Sequence, residues 1–88
     1  MDSDAEARSA AIALAPHLRE VMDDESRDDY QSCLTAGEPQ VALVLLFGFI
    51  KESSDIPQPT LIRAFQALDS DHKEEFRHLL ERNLKTTA

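Results

Sequence analysis

Three histidines, one cysteine and a run of carboxylates are the side chains in this 88-residue sequence with chemistry to offer. Glu75 and His78 reproduce the Glu-x-x-His spacing, and Glu74 lies one turn before His78. That spacing puts both ligands on one helix face, as in di-iron bundles, but such a centre needs a second copy and two further glutamates on long helices. His72 and His78, six residues apart, supply no such partner set, and a single copy in a glutamate-rich surface helix is a solvated face. Cys33 is the only thiol, too few for a cysteine-ligated zinc and unable to close an internal disulfide. As a nucleophile it would need activation by His17, His72 or His78. It shares an apolar stripe with Tyr30 and Leu34, which reads as an inert buried thiol. The chain has no Gly-x-Ser-x-Gly, Walker loop or dinucleotide fingerprint, and no arginine in the Arg-x4–6-His spacing of small helical ribonucleases. These residues point away from an enzyme, a metal and a cofactor.

The carboxylates are more informative. Asp23-Asp24-Glu25-Ser26-Arg27-Asp28-Asp29 packs five acids and one arginine into seven positions. Residues 1–44 hold ten acids against three arginines, whereas residues 45–88 hold seven acids against six bases, and the whole chain carries a formal net charge of −8. That sign excludes ordinary binding to a phosphate backbone, which would repel it. A helix N-terminus welcomes acids in its first turn, and small proteins use surface charge to stay soluble. Those effects explain two or three of the carboxylates. The remainder cost stability by repulsion and fit a basic protein partner, with the acids steering association and an aromatic ring supplying an anchor. The expected partner-binding set is Asp23, Asp24, Glu25, Asp28 and Asp29, extended by Glu38 beyond the turn at Gly37, with Tyr30 as the packing anchor.

The elements that must position these groups are helices. Ala11, Leu14, Leu18, Val21 and Met22 recur at three- and four-residue spacings from Asp4 to Met22, with Pro16 predicting a kink or a fresh start. A short second helix begins around Asp24 to Ser26, where Ser26 and Asp29 have capping-box spacing, and ends at Gly37, which tolerates positive φ. Glu38-Pro39 opens a third helix, since proline is pre-set for a first helical position. Val41 to Ile50 leaves it no polar face, so it reads as the central element surrounded by the others, and Lys51-Glu52-Ser53 returns the chain to solvent. Pro57 and Pro59 mark a loop. Beyond it Leu61, Ile62, Phe65 and Leu68 form one stripe and Phe76, Leu79, Leu80 and Leu84 another. A break is expected near Asp69 to Asp71, with Asp71 and Glu74 as a capping box.

The predicted architecture is all-α: a single domain over residues 1–88, built as a small bundle of four to five short helices with short connections. The greasy run from Val41 covers about half of the roughly 20 residues a membrane span requires. Met1-Asp2-Ser3-Asp4 is acidic where a secretory signal would be basic, and the lone cysteine suits a reducing compartment, so a cytoplasmic protein is expected.

Leu34-Thr35-Ala36-Gly37-Glu38-Pro39-Gln40-Val41-Ala42-Leu43, preceded by a charged short helix and followed by a greasy helix, an acidic stretch and Ile56-Pro57, resembles the MafI-type immunity proteins of bacterial polymorphic toxin systems. Gly37, Glu38, Ala42 and Leu43 occupy the turn that recurs in that family, and the resemblance spans residues 18–68. The small, acidic, helical chain is also similar in its overall economy to colicin-type nuclease immunity proteins, without a shared motif. The resemblance implies an inhibitor that binds a cognate toxin domain in the producing cell; the expected action is non-catalytic, by one-to-one binding of a chain expected to be monomeric. Such domains are often nucleases with basic grooves, which an acidic helix would cover. A regulatory adaptor or anti-factor binding a basic protein through the same patch is the alternative. A homodimeric bundle joined through Phe76, Leu79 and Leu84 is a third.

Overall fold

The computed structural model describes residues 3–50 and 56–86, with side chains from 4 to 50 and 56 to 81. Among these residues every regular element is helical: α1 (Ser3–Leu14), a 3-10 turn (Ala15–His17), α2 (Asp24–Thr35), α3 (Pro39–Phe47), α4 (Gln58–Ala67) and α5 (Ser70–Thr86). The chain is a small all-α bundle, as the periodicity predicts.

Alanine, the strongest helix former, dominates α1 and also sets its packing. Ala7, Ala10 and Ala11 are buried, as are Ala42 on α3 and Ala64 on α4, so α1 can lie close against both helices. Pro16 ends the α-helix and sits in the first turn of the 3-10 segment, where its missing N–H costs nothing. Leu14, Leu18 and Met22 follow the expected stripe inward. Val21 does not: it is half exposed, because the irregular loop after His17 breaks the helical phase.

The cap of α2 is Asp23 rather than Ser26. The Asp23 side chain accepts a hydrogen bond from the Ser26 backbone N–H at 2.8 Å, which places Ser26 inside the first turn. At the other end Gly37 takes φ +78. Its N–H donates to the Leu34 carbonyl at 3.2 Å, and the Glu38 N–H donates to the Cys33 carbonyl at 2.9 Å, the paired pattern of a Schellman stop.

Pro39 begins α3 as anticipated. Its residues Ala42, Leu43, Leu46 and Phe47 are buried, but α3 is not enclosed on every side. Val41 is half exposed, and Val44 and Leu45 are half-buried, since α1 and α2 occupy only part of its circumference. The return to solvent expected at Lys51-Glu52-Ser53 lies outside the described residues. Pro59 falls within the first turn of α4 instead of the preceding loop, a position without an intrahelical donor duty.

The stripe from Leu61 to Leu84 is divided between two helices. Asp69, not Asp71, caps α5: its carboxylate accepts from the His72 N–H at 3.2 Å. Gln40 on α3 braces the corner, donating to the Ala67 carbonyl at 2.7 Å and accepting from the Asp69 N–H at 3.3 Å. Phe76 lies against Phe47 with ring centroids 5.3 Å apart and 34° between planes. It is therefore part of the core and not a free self-association stripe. The side chain of Leu84 is outside the described residues. Burial of Phe47, wholly inaccessible, contributes about 2–3 kcal/mol.

Candidate interaction surfaces

The helical repeat of about 3.6 residues divides α2 into two sides. Tyr30 and Leu34 turn into the core, with Cys33 half-buried beside them. Asp24, Glu25, Asp28 and Asp29 occupy the opposite, solvent-facing side, and all four are exposed. Along that face Asp24 and Asp28, and likewise Glu25 and Asp29, stand four residues apart, the spacing at which like charges on a helix meet. Asp24 has one counter-charge: the Arg27 guanidinium donates to its carboxylate at 3.0 Å.

The predicted residues thus separate into three places. Asp24, Glu25, Asp28 and Asp29 form the acidic face, and Asp23 adjoins it at the helix start. The Ser26 hydroxyl and backbone N–H stabilise the Asp23 carboxylate and hold its pKa below the ordinary value of 3.8. Glu38, exposed, precedes α3 at the far end of α2, roughly 18 Å along the axis from Asp23. It does not continue the Asp23–Glu25 cluster. Tyr30 departs from the expectation most clearly. It is only 9% exposed and belongs to the core, so it is no anchor among the carboxylates. Burial pushes its phenol above the ordinary value of 10.0, with the nearby Arg8 guanidinium opposing the shift.

The structure adds a feature that the charge count hid. Arg8, Arg19 and Arg27, every basic residue of the first half, gather around a groove between α1 and α2 that Tyr30 and Leu34 also line. The signal was present in the spacing: positions 8, 12 and 16 share one face of α1 and its following turn, and positions 27, 30, 31 and 34 share one face of α2.

In the C-terminal half Arg63 Nη2 reaches back to α1, donating to the Ser9 hydroxyl at 2.9 Å, whereas His72, Glu74 and Arg77 have local partners. His72 Nδ1 lies 2.7 Å from the Asp69 carboxylate at the start of α5. Arg77 and Glu74 pair at 3.5 Å on the exposed side of the same helix. Among the described residues no three of histidine, cysteine, aspartate and glutamate come together as a metal site. No described helix is long and apolar enough to cross a membrane. The chain matches no protein-family model, no curated protein and no solved structure.

Proposed function

We propose that this chain is an immunity protein: a cytoplasmic, non-catalytic inhibitor that binds a cognate toxin domain, of the nuclease kind, through the acidic face of α2. The observation that carries the reading is the like-charge spacing of two pairs, Asp24 with Asp28 and Glu25 with Asp29, on an exposed helix face. Each such pair costs about 0.2–0.5 kcal/mol of helix stability. Asp28 and Asp29 lie past the first turn, beyond the reach of the helix dipole that rewards acids nearer the start. Arg27 and the helix start compensate Asp24 and Glu25, but Asp28 and Asp29 add cost beyond that compensation, as a surface kept for a partner does.

The opposing surface is basic. A nuclease domain has such a surface where it holds its polyanionic substrate, and occupying or covering it blocks that substrate electrostatically. The residues in contact are Asp24, Glu25, Asp28 and Asp29, with Asp23 at the edge and Glu38 reaching a second point of the partner. Apolar contact comes from elsewhere than Tyr30. The turn Gly37-Glu38 with Ala42-Leu43 supports the same reading through its resemblance to MafI-type proteins.

The test is protection. A toxin domain encoded beside this chain is expressed in a sensitive bacterium, with the chain or with its Asp24→Lys, Asp28→Lys double variant. The unaltered chain restores growth and the variant, equally folded by circular dichroism, does not. Equal protection by both would refute the acidic-face mechanism, and no protection by either would refute the immunity role toward that toxin.

A further inference from the structure

α1 and α2 both lean on α3 rather than on each other, and a groove of about 410 Å³ remains between them. That volume falls within the range of sites that take a small ligand or a few side chains. Its apolar lining includes Ile12, Tyr30 and Leu34, and Ile12 is 52% exposed, open to an incoming side chain. Three guanidinium groups surround this lining. Arg8 Nη1 donates to the Leu34 carbonyl at 3.0 Å, which fixes the arginine across the groove. Arg27 is held by the Arg19 carbonyl and by Asp24. Among the described residues no acceptor engages the guanidinium of Arg19, which is exposed.

We infer that this groove is a docking site for an acidic, apolar peptide segment of a protein partner. A carboxylate on that segment meets the forked donors of Arg19 and Arg8, a pairing that is stronger and more directional than a contact between neutral groups. A neighbouring aliphatic side chain covers Ile12 and Leu34. Charge complementarity selects the occupant: residues 1–44 carry ten acids, so gathering all three of their arginines around one apolar lining creates a local positive site in a negative field. A nucleic-acid strand is disfavoured, because its continuous phosphates would run onto the acidic face of α2. The groove and that face lie on different sides of α2 and demand opposite charges, so the two surfaces hold different segments. This inference does not depend on the partner being a toxin.

Tyr30 is the only tyrosine and the chain has no tryptophan, so its fluorescence reports the groove. The full chain is titrated with acetyl-Leu-Glu-Leu-Leu-Glu-Leu-amide and with the same peptide carrying glutamine for glutamate. The glutamate peptide is expected to change the emission saturably, and the glutamine peptide to bind about tenfold more weakly, the loss of one charge-assisted contact. Arg19→Glu, at an exposed position whose guanidinium engages no acceptor among the described residues, loses binding by a similar factor while keeping its helical circular dichroism, and Arg19→Lys recovers part of it. The inference is overturned if both peptides bind alike, if neither alters the emission, if Arg19→Glu binds as the unaltered chain does, or if a single-stranded oligonucleotide binds in the peptide's place.

Discussion

The guanidinium of Arg27 donates through Nη2 and Nε to the carbonyl oxygen of Arg19, at 2.6 and 3.2 Å. This fork spans the loop between the 3-10 turn and α2 and fixes how the two helices diverge around their groove. Arg27→Ala is expected to destabilise the chain by about 1 kcal/mol, since the donors are charged but the side chain is partly exposed. Arg27→Lys restores only part of that, because an ammonium lacks the planar fork. Urea midpoints of the three proteins check this, and an unchanged midpoint for Arg27→Ala would remove the loop from the account.

The cap at Asp23 gives stability an acid limb. Its folded pKa is depressed below 3.8, so its contribution is present above that value and is lost as pH falls through the lower folded pKa. Asp23→Ala should lower the thermal midpoint at neutral pH and flatten its fall in acid relative to the unaltered chain. Parallel melting curves across that range would show that Ser26 gains nothing from the carboxylate.

Tyr30 gives the alkaline counterpart. Burial raises its folded pKa above 10.0, favouring the neutral phenol in the folded chain. The associated stability is complete below that value and is lost as pH rises through the raised one. Tyrosinate absorbance in an alkaline titration should emerge at higher pH in the folded chain than in urea, and higher still in Arg8→Met, which lacks the opposing cation. Coincident folded and unfolded titrations would contradict the buried placement.

Replacing Asp28 and Asp29 by lysine converts two repulsive pairs into attractive ones, Asp24 with position 28 and Glu25 with position 29. Each exchange is worth about 0.4–1 kcal/mol, so the double variant should melt higher than the unaltered chain. A lower midpoint would mean that the carboxylates serve the fold, and the reading of α2 as a face retained at a cost would be wrong.

Punctuating residues made much of the fold legible. Pro16, Gly37 and Pro39 each act through a backbone restriction that no neighbour can override, and each falls at an element boundary. Both helix caps were misplaced for a common reason: aspartates and serines cluster there, several satisfy the same spacing rule, and only three-dimensional geometry selects Asp23 and Asp69. Tyr30 followed its periodicity inward, which outranked its proximity to the acids in sequence. The spacing puts the groove residues on one face of each helix, but that the two faces meet was not legible, because it arises from α1 and α2 sharing α3 as a support, a relation between distant segments. The carboxylate spacing was readable once α2 was placed; the partner that it meets is a property of another molecule.

The most direct test of the central claim is the association rate with the cognate toxin domain, measured over a series of salt concentrations. The unaltered chain should associate fast at low salt and slow steeply as salt rises. The Asp24→Lys, Asp28→Lys variant should associate at least about tenfold more slowly at low salt, with a weakened salt dependence. Equal rates and equal salt slopes for the two proteins would contradict the claim that the acidic face of α2 meets a positively charged surface.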